Sequence, residues 1–410
     1  MLILALVAVF AVTMVLGVPV AFCLGLGGLA FIWLSGVVPI AVLPTLMFSG
    51  MDSFPLLAIP FFVIAGDVMQ RCGILPNLIA FANSLVGHFR GGLAYVVIVT
   101  SMMFAGVTGV ALAECAAIGS MLAPSMVRQG YPGGFTSAVI AGSAVMGPII
   151  PPSVAMLVFA YVYGGGISVG KLFLMGIVPG VLIGLTMMAL VAIQARRRSF
   201  PVSGERFSVR RVLRALRGAT LGLVVPLIII GGILGGVFTP TEAGAVAAAY
   251  GVLVGAKTSA VIYLLLGTSN VVSWILVRNQ VPRVVAQWSL DFTTSAEVFM
   301  LVAIGVLFLL GLALEAVPIM IMLIPILAPA AAAYKIDPHL LGLVVVMAVQ
   351  TALISPPVAL SLYIVASIVK APMKDANRAI WPFMLVVIGI TIAMALFPAV
   401  PLWIPKRFGF

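Results

Sequence analysis

Charge is what this sequence has least of. Only 8% of its 410 residues are Asp, Glu, Lys or Arg, whereas 63% are apolar, and the mean hydropathy is +1.31. Soluble domains carry about 25% charged residues, because a polar surface must cover the core. A water-soluble globule is therefore excluded. Apolar stretches of spanning length recur from Leu2 onward, so the chain reads as an all-α polytopic membrane protein embedded in a lipid bilayer. Histidine is almost absent: His88 and His339 both sit beside loops, where they read as solvated rather than catalytic. With no His-Glu-x-x-His run, no paired Asp dyad and no Gly-x-Ser-x-Gly elbow with a histidine, nothing assembles a hydrolytic site, and the chain is not expected to be an enzyme. A Gly-x-x-x-x-Gly-Lys-Ser/Thr phosphate loop is also missing, so no nucleotide is expected, and energy must come from an ion gradient or another subunit. Three cysteines, Cys23, Cys72 and Cys115, stand singly in apolar context and suggest neither a disulfide framework nor a metal cluster. The net charge of +11 could point to nucleic acid, but the cations cluster between apolar runs without interleaved aromatics, as in the loops of a membrane protein. Residues 2–22 lack the basic leader of a signal sequence and read as a retained span.

The basic residues orient the chain. Eight arginines and one acid, Glu205, lie between Arg196 and Arg217, dividing the sequence near its middle. By the positive-inside bias this stretch is cytoplasmic. Spans are expected near 2–22, 24–50, 55–70 and 173–195 before it, with a turn-rich pair at 93–127 and a broken segment at 136–163. After it come 219–238, 241–255, 258–277 and 380–400, with a second pair at 298–333 and a second broken segment at 339–367. If each pair is a hairpin returning to its own face, 15 of the 21 Lys and Arg fall inside and both termini lie outside.

Sliding the chain on itself by 205 residues superimposes landmarks. Leu122-Ala123-Pro124 meets Leu327-Ala328-Pro329, and Pro151-Pro152 meets Pro356-Pro357. Proline breaks helices, so these coincidences mark geometry beyond composition. An odd number of spans per half then gives the copies opposite orientation. The expected architecture is two inverted-topology repeats, residues 1–195 and 219–410, joined by an Arg-rich cytoplasmic linker at 196–218, each holding a re-entrant helical hairpin and a broken helix. The second half is about 16 residues shorter between its second and third spans, where Gly255-Ala256-Lys257 faces the longer stretch Gly36 to Met51.

Helices interrupted within lipid leave amides and carbonyls that need partners, and such breaks persist where they line a binding cavity. Two turns and two breaks qualify: Ala105 to Gly109, Gly311 to Glu315, Gly147 to Ser153, and Ile354 to Val358. Their carbonyls suit Na⁺, a hard cation that prefers oxygen, and their helix N-termini suit an anion. Gly106, Thr108, Gly109, Gly147, Ser153, Gly311 and Ser355 are the candidate Na⁺ residues, with hydroxyls available from Thr108, Ser153 and Ser355. The competing reading is a set of proline kinks that only shape packing. Intramembrane carboxylates are functional suspects, and Glu114, Glu315 and Glu242 are candidates for an ion relay. Glu242 follows Thr239-Pro240-Thr241 and is equally well explained as a helix cap. Glu315 is out of register with Glu114, because at the offset of 205 it aligns with Val110.

These residues together resemble the large membrane subunit of TRAP (tripartite ATP-independent periplasmic) transporters. The matching stretches include Leu57 to Gly66, Gly87 to Tyr95, Phe104 to Pro124, Gly147 to Ser153, Gly176 to Gly180, Phe238 to Ala243 and Ile354 to Val358. The resemblance implies an elevator-type fold of a wider ion-transporter superfamily in the bacterial inner membrane. It implies a small four-helix membrane subunit and a periplasmic substrate-binding protein as partners, and Na⁺-coupled import of carboxylates such as C4-dicarboxylates, keto acids or sialic acid. Carried over by position, the turn at Gly106–Gly109 with the break at Gly147–Ser153 would hold one Na⁺, and the turn near Gly311 with Ser355–Pro357 another. Pro151, Pro152, Pro356 and Pro357 would flank the substrate carboxylate. The tips here are poorer in serine than the family's, since Ala105, Val110 and Leu314 offer no side-chain oxygen. The alternative reading is an ion-coupled organic-anion symporter of the same fold that works without a binding protein.

Overall fold

In a bilayer the backbone must satisfy its own hydrogen bonds, and helices do so within one segment. In the computed structural model, which describes residues 2–51, 58–62, 74–197, 200–201, 207–249, 275, 278–312, 314–356 and 359–409, every regular element among the described residues is a helix. In chain order these are α1 (Leu2–Val15), α2 (Val20–Ser35), α3 (Val42–Met51), α4 (Ile74–Val86), α5 (Gly92–Thr108), α6 (Ala111–Arg128), α7 (Gly133–Ala144), α8 (Val154–Tyr163) and α9 (Val169–Arg197). The second half holds α10 (Val209–Leu234), α11 (Pro240–Ala249), α12 (Val281–Phe292), α13 (Ala296–Gly311), α14 (Ala316–Ala333), α15 (Pro338–Ala352), α16 (Leu360–Val369), α17 (Met373–Leu396) and α18 (Ala399–Arg407). Among the described residues α9, α14 and α17 are long and apolar enough to cross a membrane by length and composition. The chain is a multi-pass membrane protein.

Several boundaries differ from those read in sequence. The expected span at 24–50 is two helices, because Gly36 ends α2 in the left-handed conformation and Pro39 follows. Helices α4 and α12 fall between the expected spans. Arg210, Arg211, Arg214 and Arg217 belong to α10 rather than to a loop. The expected span at 258–277 and the short linker at 255–257 lie outside the described residues, apart from Ile275, as do Glu205 and all of the expected span at 55–70 except residues 58–62.

The same succession of elements occurs in both halves. Hairpin α5–α6, then α7, a break, α8 and α9, is matched by hairpin α13–α14, then α15, a break, α16 and α17. Packing between the halves is reciprocal. α6 lies on α16 while α14 lies on α8, and α7 lies on α17 while α15 lies on α9. Small residues make these approaches close, as helix packing in lipid favours. A Cβ on Gly342 of α15 would meet the Phe159 ring of α8 at 2.5 Å, and one on Gly142 of α7 would meet Phe383 of α17 at 3.0 Å. Pro124 and Pro329, one of the aligned pairs, both lie inside helices, α6 and α14.

Candidate functional site

The first hairpin turns over at its tip because Gly109 adopts φ +61° at the C-terminus of α5, its N–H donating to the Ala105 carbonyl at 3.3 Å. Val110 is then extended, and α6 starts at Ala111. The tip rests on the first break. A Cβ on Gly109 would meet the Pro152 carbonyl at 2.7 Å and the Val154 amide at 3.2 Å, and one on Gly106 would meet the Pro151 carbonyl at 3.5 Å. Glycine is needed here for its conformation and for this backbone-to-backbone approach. Gly106 also abuts the ring of Pro226 in α10, where a Cβ would be 3.0 Å away.

The break itself is built from prolines and a cap. After α7 ends, the amides of Ile149 and Ile150 both donate to the Met146 carbonyl, at 3.0 and 2.8 Å. Pro148, Pro151 and Pro152 have no N–H to give, so the helix stops. Ser153 restarts it: its hydroxyl donates to the Pro148 carbonyl and accepts from the Met156 amide at 3.1 Å. Thr108 turns its hydroxyl to the Phe104 carbonyl at 3.4 Å. Both candidate hydroxyls are thus partly engaged by backbone, with lone pairs to spare.

Glu114, in the first turn of α6, is fully buried, and neither carboxylate oxygen has a hydrogen-bond partner among the described residues. Its Oε2 would be 2.5 Å from a Cβ on Gly147, so the carboxylate lies flat against the opening of the break. Ser101 on α5 is the hydroxyl that faces it. The neighbouring Cys115 thiol reaches the Ser361 carbonyl of α16 at 3.1 Å, tying the first hairpin to the far side of the second break.

The second tip repeats the apposition with different chemistry. Gly311 presses on the Ala352 methyl, and its Cβ would be 3.6 Å from the Val349 carbonyl. A cleft of about 90 Å³ lies here, lined by Gly311, Leu312, Leu314, Glu315, Ala352 and Leu353 among others. Glu315 is exposed at the N-terminus of α14 and makes no cap bond. Ser355 is buried, its hydroxyl shared between the Thr351 carbonyl at 2.8 Å and the Met384 sulfur at 3.0 Å. Pro356 is half-buried, and Pro357 lies outside the described residues.

Glu242 belongs to neither tip. Its Oε2 accepts from the Thr239 amide at 2.8 Å and the Thr239 hydroxyl at 2.9 Å, while its own amide donates back to that hydroxyl at 3.3 Å. That is a reciprocal capping box at the start of α11. The larger cavity, about 550 Å³, is also elsewhere: Tyr161, the Gly164–Gly166 loop and the start of α9 line one side, and Ile233, Phe238 and Thr241 the other.

A support that sequence reasoning missed runs along α9. Gly176, Gly180 and Gly184 form a stripe that receives, in turn, the Ile149 carbonyl, the Ile150 side chain and the Met102 sulfur. The signal was present as Gly-x-x-x-Gly-x-x-x-Gly, a spacing that lets helices approach closely.

Comparison with known proteins matches nearly the whole chain. The family model described as tripartite ATP-independent periplasmic transporter, DctM component, matches residues 7–256 and 251–400. The chain is 36% identical to the C4-dicarboxylate TRAP transporter large permease protein DctM of Pseudomonas aeruginosa, over 94% of each chain. It is 33% identical to the sialic acid TRAP transporter large permease protein SiaM of Vibrio cholerae serotype O1, over 96% of each. The isethionate TRAP transporter permease protein DctMQ of Oleidesulfovibrio alaskensis is 33% identical, over 96% of this chain and 65% of its own length.

Proposed function

The chain belongs to the DctM component family of tripartite ATP-independent periplasmic transporters, and from that premise we propose that it is the large permease subunit of a Na⁺-coupled, binding-protein-dependent importer of organic acids. The substrate class is a C4-dicarboxylate, keto acid or sugar acid such as sialic acid, the relatives' substrates being the support for that range. Its partners are a small four-helix membrane subunit and a periplasmic binding protein, and its place is the bacterial inner membrane with the Arg-rich stretch cytoplasmic.

One observation carries this reading: at both halves a hairpin tip lies against the break of its own half. At the first tip the donor set is all oxygen. The Pro151 carbonyl lies against Gly106, the Pro152 carbonyl against Gly109 and the Glu114 carboxylate against Gly147, with the hydroxyls of Thr108 and Ser153 beside the tip and the break. Those groups fit a hard cation, since a buried carboxylate without a partner is costly until a positive charge comes near. Na⁺ bound there supplies positive charge beside which a substrate carboxylate is stabilised. The second tip has fewer polar side chains, so its contribution rests on backbone around Gly311 and Ser355.

Movement follows from which elements cohere. Both hairpins and both broken helices pack on one another across the halves, forming a body able to travel as a unit, which is the elevator reading. Gly106 presents no side chain to Pro226 of α10, leaving a smooth contact where that body would slide.

The test is uptake of a labelled carboxylate panel into proteoliposomes holding this chain with its cognate small subunit. Assays run with and without the binding protein, under an inward Na⁺ or H⁺ gradient. Uptake that needs both Na⁺ and the binding protein supports the proposal. Uptake without the binding protein establishes the self-sufficient symporter instead, and uptake driven by H⁺ alone removes the Na⁺ assignment.

A further inference from the structure

The arginines of α10 have work left over after topology is accounted for. Arg210, Arg214 and Arg217 recur at helical spacing and line one side of its first three turns. All three are exposed, and among the described residues none has a carboxylate partner. Beside them runs a second exposed stripe, Val209, Leu213 and Leu216, at 62%, 57% and 37% exposure, with Phe207 just before it at 54%. Water is a poor environment for that apolar stripe, and hydrocarbon a poor one for the arginines. A bilayer interface suits both at once.

Helix length places them there. α10 has 26 residues, about 39 Å, against a hydrocarbon core of about 30 Å and about 40–45 Å including headgroups. The span expected from sequence begins at 219, so residues 209–217 form the ~13 Å before it, which that span would put at headgroup depth. α10 itself packs along α4, and the chain end leaving α9 is fixed by its own contacts. Phe200 is buried, with its ring centroid 4.7 Å from Phe135 and 5.0 Å from Tyr131, and the Gly91 amide donates to the Pro201 carbonyl at 3.0 Å. Arg196 and Arg197 close α9 on the same connection. The cations are therefore displayed from a helix packed against the rest of the protein.

We propose that the first three turns of α10, through Arg210, Arg214 and Arg217, form a binding site for the phosphodiester headgroups of anionic phospholipid, with Val209, Leu213 and Leu216 resting on the adjoining acyl chains. A soluble polyanion would leave the apolar stripe in water, which is why a lipid is the occupant. The site does not depend on which ion or acid is transported, only on α10 crossing the bilayer.

The experiment measures lipid binding to the detergent-solubilised full chain by native mass spectrometry, titrating dioleoylphosphatidylglycerol against dioleoylphosphatidylcholine. Wild type should retain phosphatidylglycerol in preference. The triple variant Arg210→Gln, Arg214→Gln, Arg217→Gln should lose on the order of a hundredfold in apparent affinity, since each interfacial arginine contributes roughly fivefold. The single variant Arg214→Gln, losing about fivefold, serves if the triple variant does not fold. The thermal midpoint in phosphatidylcholine should match wild type. Equal retention of the two lipids by wild type, or wild-type retention of phosphatidylglycerol by both variants, overturns the proposal. Displacement of phosphatidylglycerol by millimolar inorganic phosphate also overturns it, because the site would then read a free anion.

Discussion

Replacing Gly109 by alanine separates two costs that the structure keeps distinct. The first is conformational: at φ +61° an alanine costs about 1–2 kcal/mol. The second is steric. The new Cβ would stand 2.7 Å from the Pro152 carbonyl and 3.2 Å from the Val154 amide, both backbone atoms that cannot swing away. Forcing such a contact costs about 1–3 kcal/mol. The total expected for Gly109→Ala is about 2–5 kcal/mol. Gly130 provides the control, because it has φ +91° with nothing within 4 Å of its Cβ, so Gly130→Ala should cost only the conformational part. Unfolding in mixed micelles titrated with SDS reads the difference. Uptake in proteoliposomes reads its consequence, which should be a loss of tenfold or more for Gly109→Ala alone, as a tip displaced from the break misplaces the oxygens proposed to hold Na⁺. Equal destabilisation of the two variants would show that the tip does not bear on the break. Unimpaired uptake in Gly109→Ala would remove the tip from the transport site.

Glu114→Gln keeps shape and removes charge. If the carboxylate balances a cation, the Na⁺ concentration for half-maximal uptake should rise at least tenfold while the unfolding midpoint holds or increases. An unchanged Na⁺ dependence would leave Glu114 as packing. Ser153→Ala removes the cap of α8 and its bond to the Pro148 carbonyl, and should cost about 1–3 kcal/mol of stability by SDS titration, with Ser153→Thr recovering part of it. Asp337 caps α15, accepts from His339 Nδ1 at 3.0 Å and pairs with Lys171 at 3.3 Å. The His339 hydrogen bond foremost, then its amide and the Lys171 charge, hold this carboxyl well below the usual range against the opposing effect of burial. Because the folded value is depressed, the stabilisation is complete above about pH 4 and fades as pH falls through the folded value. Unfolding midpoints followed from pH 6 to pH 3 should therefore drop less steeply for Asp337→Asn than for wild type.

How far the sequence carried this fold depends on which forces leave a mark in one dimension. The hairpins and breaks were legible because proline and glycine act locally: Pro148, Pro151 and Pro152 stop a helix wherever they stand, and Gly109 turns one wherever φ must be positive. Thus the turn at 105–109 and the break at 147–153 were placed correctly. Helices α4 and α12 were not, since at 13 and 12 residues neither forms a run of spanning length. α12 instead shows its role through contacts: Tyr334 donates to the Ser289 and Thr293 carbonyls, at 2.6 and 2.8 Å, clasping its C-terminus. The three candidate acids looked alike in sequence and have different surroundings in the fold. Glu242 is used up in a local capping box, Glu315 is exposed, and Glu114 is buried against Gly147 with the Ser101 hydroxyl facing it. Only the last distinction depends on a residue 33 positions away meeting it in space, which no spacing rule reports. A carboxylate buried against Gly147 is costly unless it holds a proton or a cation comes near, and that is the physical reason to test for a cation at the first tip before the second.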